Sequence, residues 1–137
     1  MSFDPQKLEL VQETVDVLRE DPERKSLYFY EALFRRAPNY RSMFRDDVTG
    51  QGMKFMSTLT VIVDNLDDPA ALEEKYGELG FGHAALGVTP AHFETMREAF
   101  IETLRHYLGK RFTSEVETAW RDAYDLIARQ IMESGSR

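Results

Sequence analysis

The chain has 137 residues, a length suited to one compact domain over 1–137 with a sizeable core, and no cysteine, which excludes disulfides, iron–sulfur clusters and thiolate zinc sites. Its 24 acidic residues outnumber 17 basic ones for a net charge of −7, which argues against nucleic acid or an anionic membrane as partner, since both need a basic surface. No apolar run approaches the ~20 residues of a membrane helix, and MSFDPQKLEL lacks the basic-then-apolar order of a signal peptide, so a cytoplasmic location is expected.

Asp4 before Pro5 marks a helix start, the carboxylate capping and the ring taking the first helical position; Leu8, Val11, Val15 and Leu18 follow at helical spacing. Asp21 and Pro22 repeat the device and open a second helix with Leu27, Tyr30, Leu33 and Phe34 facing inward. It ends near Pro38, and a short turn runs to Phe44. Arg45 to Gly52 is polar and glycine-bearing, a loop leading into a helix with Gln51, Phe55, Leu59, Ile62 and Leu66 on one face. Asp68 and Pro69 begin the next helix, whose stripe is Leu72, Tyr76, Leu79, His83 and Leu86, and Gly87 ends it. Thr89 and Pro90 cap a helix carrying Phe93, Met96, Phe100, Leu104 and Leu108, with Gly109 at its end. Ser114 and Glu117 form a capping box for the last helix, where Val116, Trp120, Tyr124, Ile127 and Ile131 pack inward and SGSR is a frayed tail. No stretch alternates as a strand does. The fold class is all-α.

Three polar residues interrupt these apolar stripes. His83 must hydrogen-bond fully or bind something, because an unsatisfied buried polar group costs roughly 1–3 kcal/mol; no acidic residue on its stripe serves it, and an iron atom would. Alone, a helical histidine is more often a core or surface residue than a ligand. Gln51 lies one turn before Phe55, and alone it reads equally as a helix-start residue facing solvent. Tyr30 alone reads as a core tyrosine whose hydroxyl reaches a backbone carbonyl. Three such groups on three helices point to a pocket, which gathers isolated polar side chains among apolar walls.

The remaining candidates are weaker. His92 falls in the first turn of its helix, where capping or partial burial is the usual outcome, and His106 shares its face with Glu102 and Thr103 and reads as solvated. Neither has zinc-ligand spacing. The pairs Glu73-Glu74 and Asp67-Asp68 read as solvated helix ends. There is no GxSxG and no GxxxxGK[ST].

The segments FYEALFRRAPNYRSMF, TGQGMKFM, FGHAALGV and AWRDAYDLIA, in that order, resemble the globin family, specifically single-domain bacterial haemoglobins and the globin half of flavohaemoglobins. The resemblance covers nearly the whole chain. It implies a globin fold of about seven to eight helices sandwiching haem b (iron protoporphyrin IX). By the same resemblance Pro38 opens a short helix and Phe44 wedges against the haem, His83 is the proximal iron ligand, and Tyr30 and Gln51 hold bound oxygen on the distal side. Phe55 is the apolar residue over the iron. The 32 residues between Gln51 and His83 suit two helices around a porphyrin. Phe44, Phe55, Leu59, Val88, Phe93 and Phe29 would wall the macrocycle, and Lys54 pairs with a propionate or remains solvated.

Two departures from the family pattern bear on function. Several bacterial members carry a tyrosine, linked to a glutamate of the last helix, that hydrogen-bonds the proximal histidine; here the matching positions are Phe93 and Gly135. A weaker electron push toward bound oxygen is expected. No reductase segment follows the globin, so turnover would need a separate reductase. The expected role is reversible oxygen binding as carrier or store, with nitric oxide and carbon monoxide as further ligands. The alternative is a nitric oxide dioxygenase in which Tyr30 and Gln51 are the catalytic residues.

Overall fold

The computed structural model describes residues 4–43, 48–85 and 89–135. Six α-helices fill most of that range: α1 (Pro5–Thr14), α2 (Pro22–Arg36), α3 (Val48–Asp64), α4 (Pro69–Ala85), α5 (Pro90–Leu108) and α6 (Ser114–Gly135). Three 3₁₀ segments, Val15–Leu18, Pro38–Met43 and Gly109–Arg111, lie between them, and no strand occurs among the described residues. The all-α expectation holds. The helix count differs slightly from the seven to eight expected: the described residues hold six α-helices, or nine helical segments with the 3₁₀ pieces.

The punctuation works as its chemistry dictates. The Asp4 carboxylate accepts from the backbone N–H of Gln6 at 2.9 Å, and Pro5 fills a position whose N–H would be unsatisfied anyway. Asp21 adopts φ 45°, a left-handed conformation that aspartate tolerates better than most side chains, and accepts from Arg24 N–H at 3.4 Å. Gly109, at φ 56°, ends α5 where a side chain would be strained.

Four local expectations are corrected. The stripe of the first helix continues through Val15 and Leu18, both buried, but in 3₁₀ rather than α geometry. Leu27 is 43% exposed: at 100° per residue the buried face of α2 centres on Ser26, Phe29 and Leu33, which turns Leu27 outward. α3 starts at Val48, so part of the Arg45–Gly52 stretch is helix rather than loop; each interior glycine costs about 1 kcal/mol without breaking a helix anchored elsewhere by packing. The last helix is capped by Thr113, not Ser114. Thr113 Oγ1 accepts from Val116 N–H at 3.2 Å, while Glu117 is drawn away to Arg105 and Arg121, both at 2.9 Å. The Gly87 terminator lies outside the described residues.

The core forms where the stripes meet. α6 packs against α1, α4 and α5, and α2 packs against α3 and α5. Trp120 on α6 is fully buried, edge-on to Phe100 at 5.5 Å, and its Nε1 donates to Thr14 Oγ1 at 2.8 Å, which satisfies the one polar atom of a large ring and ties α6 to α1. Along the α5–α6 seam, Glu98 accepts from Arg121 (2.7 Å) and Arg97 (3.0 Å), and Arg97 also bonds Asp125 at 2.8 Å. Among the described residues no helix is long and apolar enough to cross a membrane.

Candidate functional site

Tyr30 sits on the inward face of α2 and is only 4% exposed. Its ring lies edge-on to Phe29 (5.1 Å, 66°) and at 5.7 Å and 23° to Phe34. Burial disfavours the phenolate and pushes the hydroxyl up to about 12. At any ordinary pH the group is therefore a neutral O–H, able to donate.

α2 packs on α3, whose first turn contains Gln51 and whose next turn contains Lys54 and Phe55. The structure describes these three residues by their place in the helix. Leu59, two turns beyond Gln51, is buried. His83 lies in the last turn of α4, which rests on α6. Among the described residues α3 packs mainly on α2 and α4 mainly on α6, and α3 and α4 are not a closely packed pair. On the stripe that leads to His83, Leu72 and Tyr76 are buried and Leu79 packs against the core in part. Phe44 and Val88 lie outside the described residues, as does Leu86.

Phe93 is buried in the first turn of α5. That turn is held by His92, whose Nδ1 accepts from the backbone N–H of Thr89 at 2.9 Å. A ring nitrogen that accepts carries no proton, so the proton of the neutral ring belongs to Nε2. The capping role expected of His92 is thus the one observed. The His92 ring is also edge-on to Tyr40 (4.8 Å, 83°), and the Tyr40 hydroxyl lies 3.4 Å from Thr95 Oγ1, so the 3₁₀ segment Pro38–Met43 is fastened to the start of α5. His106 is exposed, as expected, but stacks on Tyr28 at 4.4 Å and 14°.

Tyr40 was not singled out by sequence reasoning, whereas Tyr76 was placed on the apolar stripe of its helix. Tyr40 stands in a polar turn, APNYR, where an aromatic ring is the only sign of packing. Tyr76 was legible: it precedes His83 by two turns on the same face of α4, is buried, and has its phenol raised by that burial.

Comparison with known proteins places these positions in context. The family model described as Globin matches residues 27–131, a span that includes Tyr30, Gln51, His83 and Phe93. The chain is 30% identical to an anaerobic nitrite reductase of Brassica napus, over 89% of this chain and 85% of that protein. It is 26% identical to a flavohemoprotein of Bordetella pertussis over 90% of this chain but only 32% of the relative. Among solved structures, it superposes with a TM-score of 0.89 and 27% identity on an engineered carbene transferase from Rhodothermus marinus, described as a nitric oxide dioxygenase candidate. That match covers 98% of this chain and 94% of the other.

Proposed function

The chain belongs to the globin family, and from that premise we propose that residues 1–137 form a single globin domain that holds haem b and binds oxygen reversibly, as a carrier or store. The observation that carries this reading is the buried, neutral Tyr30 hydroxyl on a helix packed against the one bearing Gln51, both within the span matched by the family. The surroundings fit a flat apolar cofactor: Leu59 and Phe93 are buried, and among the described residues α3 packs on α2 and α4 on α6 rather than closely on each other. Bound haem would supply an iron that an imidazole can hold and that can bind a diatomic gas.

The roles assigned to the chain follow from that chemistry. His83 would hold the iron. Tyr30 through its phenol and Gln51 through its amide would be hydrogen-bond donors to a partly negative gas ligand, each contributing about 1 kcal/mol or more in a dry pocket. Phe44, Phe55, Leu59, Val88 and Phe93 would exclude water, and Lys54 would pair with a propionate or remain solvated. Cytoplasmic placement belongs to the same proposal, consistent with the absence of a membrane-spanning helix among the described residues.

A second reading is favoured by the relatives, which are named for nitrite reduction and as flavohemoproteins, and by the structural neighbour's description as a nitric oxide dioxygenase candidate. In it, nitric oxide, oxygen and one electron yield nitrate, and a separate reductase supplies the electron. Stopped-flow mixing of the oxygenated protein with nitric oxide in the presence of cellular reductases separates the two. A single stoichiometric consumption supports the carrier, whereas sustained nitrate production supports the enzyme.

A further inference from the structure

The solvent-facing side of α2, about 60° around the helix from Tyr30 and away from Ser26, Phe29 and Leu33, carries a charged stripe with one leucine in it. Glu23, Leu27 and Glu31 follow at four-residue intervals, so they form one stripe along the helix, and the helical rise separates the two carboxylate positions by about 12 Å. Leu27, in the middle, is one of two large apolar residues exposed among the described residues. Beside it opens a cleft of about 480 Å³ lined by Leu27, Tyr28, Glu31, Tyr107 and the carboxylates of Asp21 and Glu23. Its aromatic wall is stiff: Tyr28 is stacked on His106 and lies edge-on to Tyr107 at 5.5 Å. The ring of Tyr107 already serves one cation, with Lys25 Nζ 5.3 Å from its centroid. Arg24, which also lines the cleft, is paired with Asp21 at 3.4 Å, and Arg35 and Arg36 are taken by Glu102, so the ion pairs that α2 makes among the described residues leave Glu23 and Glu31 out.

An acidic, leucine-centred stripe beside electron-rich rings matches a partner of opposite charge. We propose that this face docks a basic segment of another protein, a helix presenting two arginines or lysines two turns apart with an apolar residue between them. The basic side chains meet Glu23 and Glu31, the apolar residue covers Leu27, and a guanidinium reaches the faces of Tyr28 and Tyr107. A second copy of this chain is the wrong occupant, because its net charge of −7 repels the same stripe. The surface is independent of the haem reading and is tested separately from it.

The full-length protein, ¹⁵N-labelled and carrying whatever cofactor it purifies with, is titrated with a capped alanine-based helical peptide bearing two arginines two turns apart and a leucine midway. The expected result is saturable shifts confined to the first half of α2 and the end of α5, with affinity falling as salt is raised. The double variant Glu23→Lys/Glu31→Lys, checked for unchanged helicity by circular dichroism, should bind at least tenfold more weakly, and Leu27→Ala several-fold more weakly. The proposal is overturned by any of three results: no saturable shift at about 1 mM peptide, equal binding of a peptide with glutamates in place of arginines, or self-association of the wild type that the double variant abolishes.

Discussion

Replacing Tyr30 by Phe removes one oxygen atom and leaves the ring against Phe29 and Phe34, so the packing of α2 is retained. What is lost is the donor. A neutral hydrogen bond contributes about 1 kcal/mol net and one to a charged acceptor about 1.5–3 kcal/mol; an acceptor with partial negative charge falls between, at about 1–2 kcal/mol. At about 1.4 kcal/mol per decade, Tyr30→Phe should raise the oxygen dissociation rate roughly 5- to 30-fold. The assay is stopped-flow displacement of oxygen by carbon monoxide. Because burial holds the Tyr30 phenol at about 12, the wild-type rate should be flat from neutral pH to about pH 10, well below where the donor would be lost. A rate in the variant within twofold of wild type, or a wild-type rate that climbs near pH 8, would refute the role given to the phenol.

Two further outcomes test the scaffold. Thr113→Ala removes the α6 cap and should cost about 1 kcal/mol, or roughly 3–5 °C in thermal midpoint, whereas Ser114→Ala should be near neutral; calorimetry on both distinguishes the observed cap from the one expected at Ser114. Glu98 is held down at about 2, first by its hydrogen bonds from Arg121 and then by those from Arg97. A depressed folded-state value contributes stability that is present above the unfolded carboxylate range near 4.5 and is lost as pH falls towards about 2. Glu98→Gln should therefore flatten the acid-unfolding curve between those values, followed by the fluorescence of Trp120, and an unaltered curve would show that the α5–α6 ion pairs contribute nothing.

Helix starts were the most legible part of the chain, because Asp4-Pro5, Asp21-Pro22 and Thr89-Pro90 each couple a capping oxygen to a residue with a preset φ, and all three begin helices. Core faces were legible wherever the apolar stripe was long, as on α6 from Val116 to Ile131. Leu27 was misplaced because two faces of α2 carry apolar residues and the burial of a small polar one, Ser26, shifts the centre of the inward face. Thr113 was missed because Ser114–Glu117 has capping-box spacing, while Glu117 is claimed by two arginines that are distant in sequence or on the next turn. Of the candidate site, Tyr30, Leu59 and Phe93 are buried, and Gln51 and His83 lie within α3 and α4. The brace from Tyr40 to His92 could not be read from the sequence, because it joins residues 52 apart through ring geometry alone.

The account stands on His83 as the anchor of a haem. Apoprotein of the wild type and of His83→Ala, matched for helicity, is titrated with haemin, and retention is then measured by transfer of haem to an excess of an apo-globin scavenger. The wild type should take up one haem per chain with a sharp Soret band and release it slowly, whereas the variant should lose most of its haem or release it at least tenfold faster. Equal uptake and equal retention by the two proteins would contradict the account.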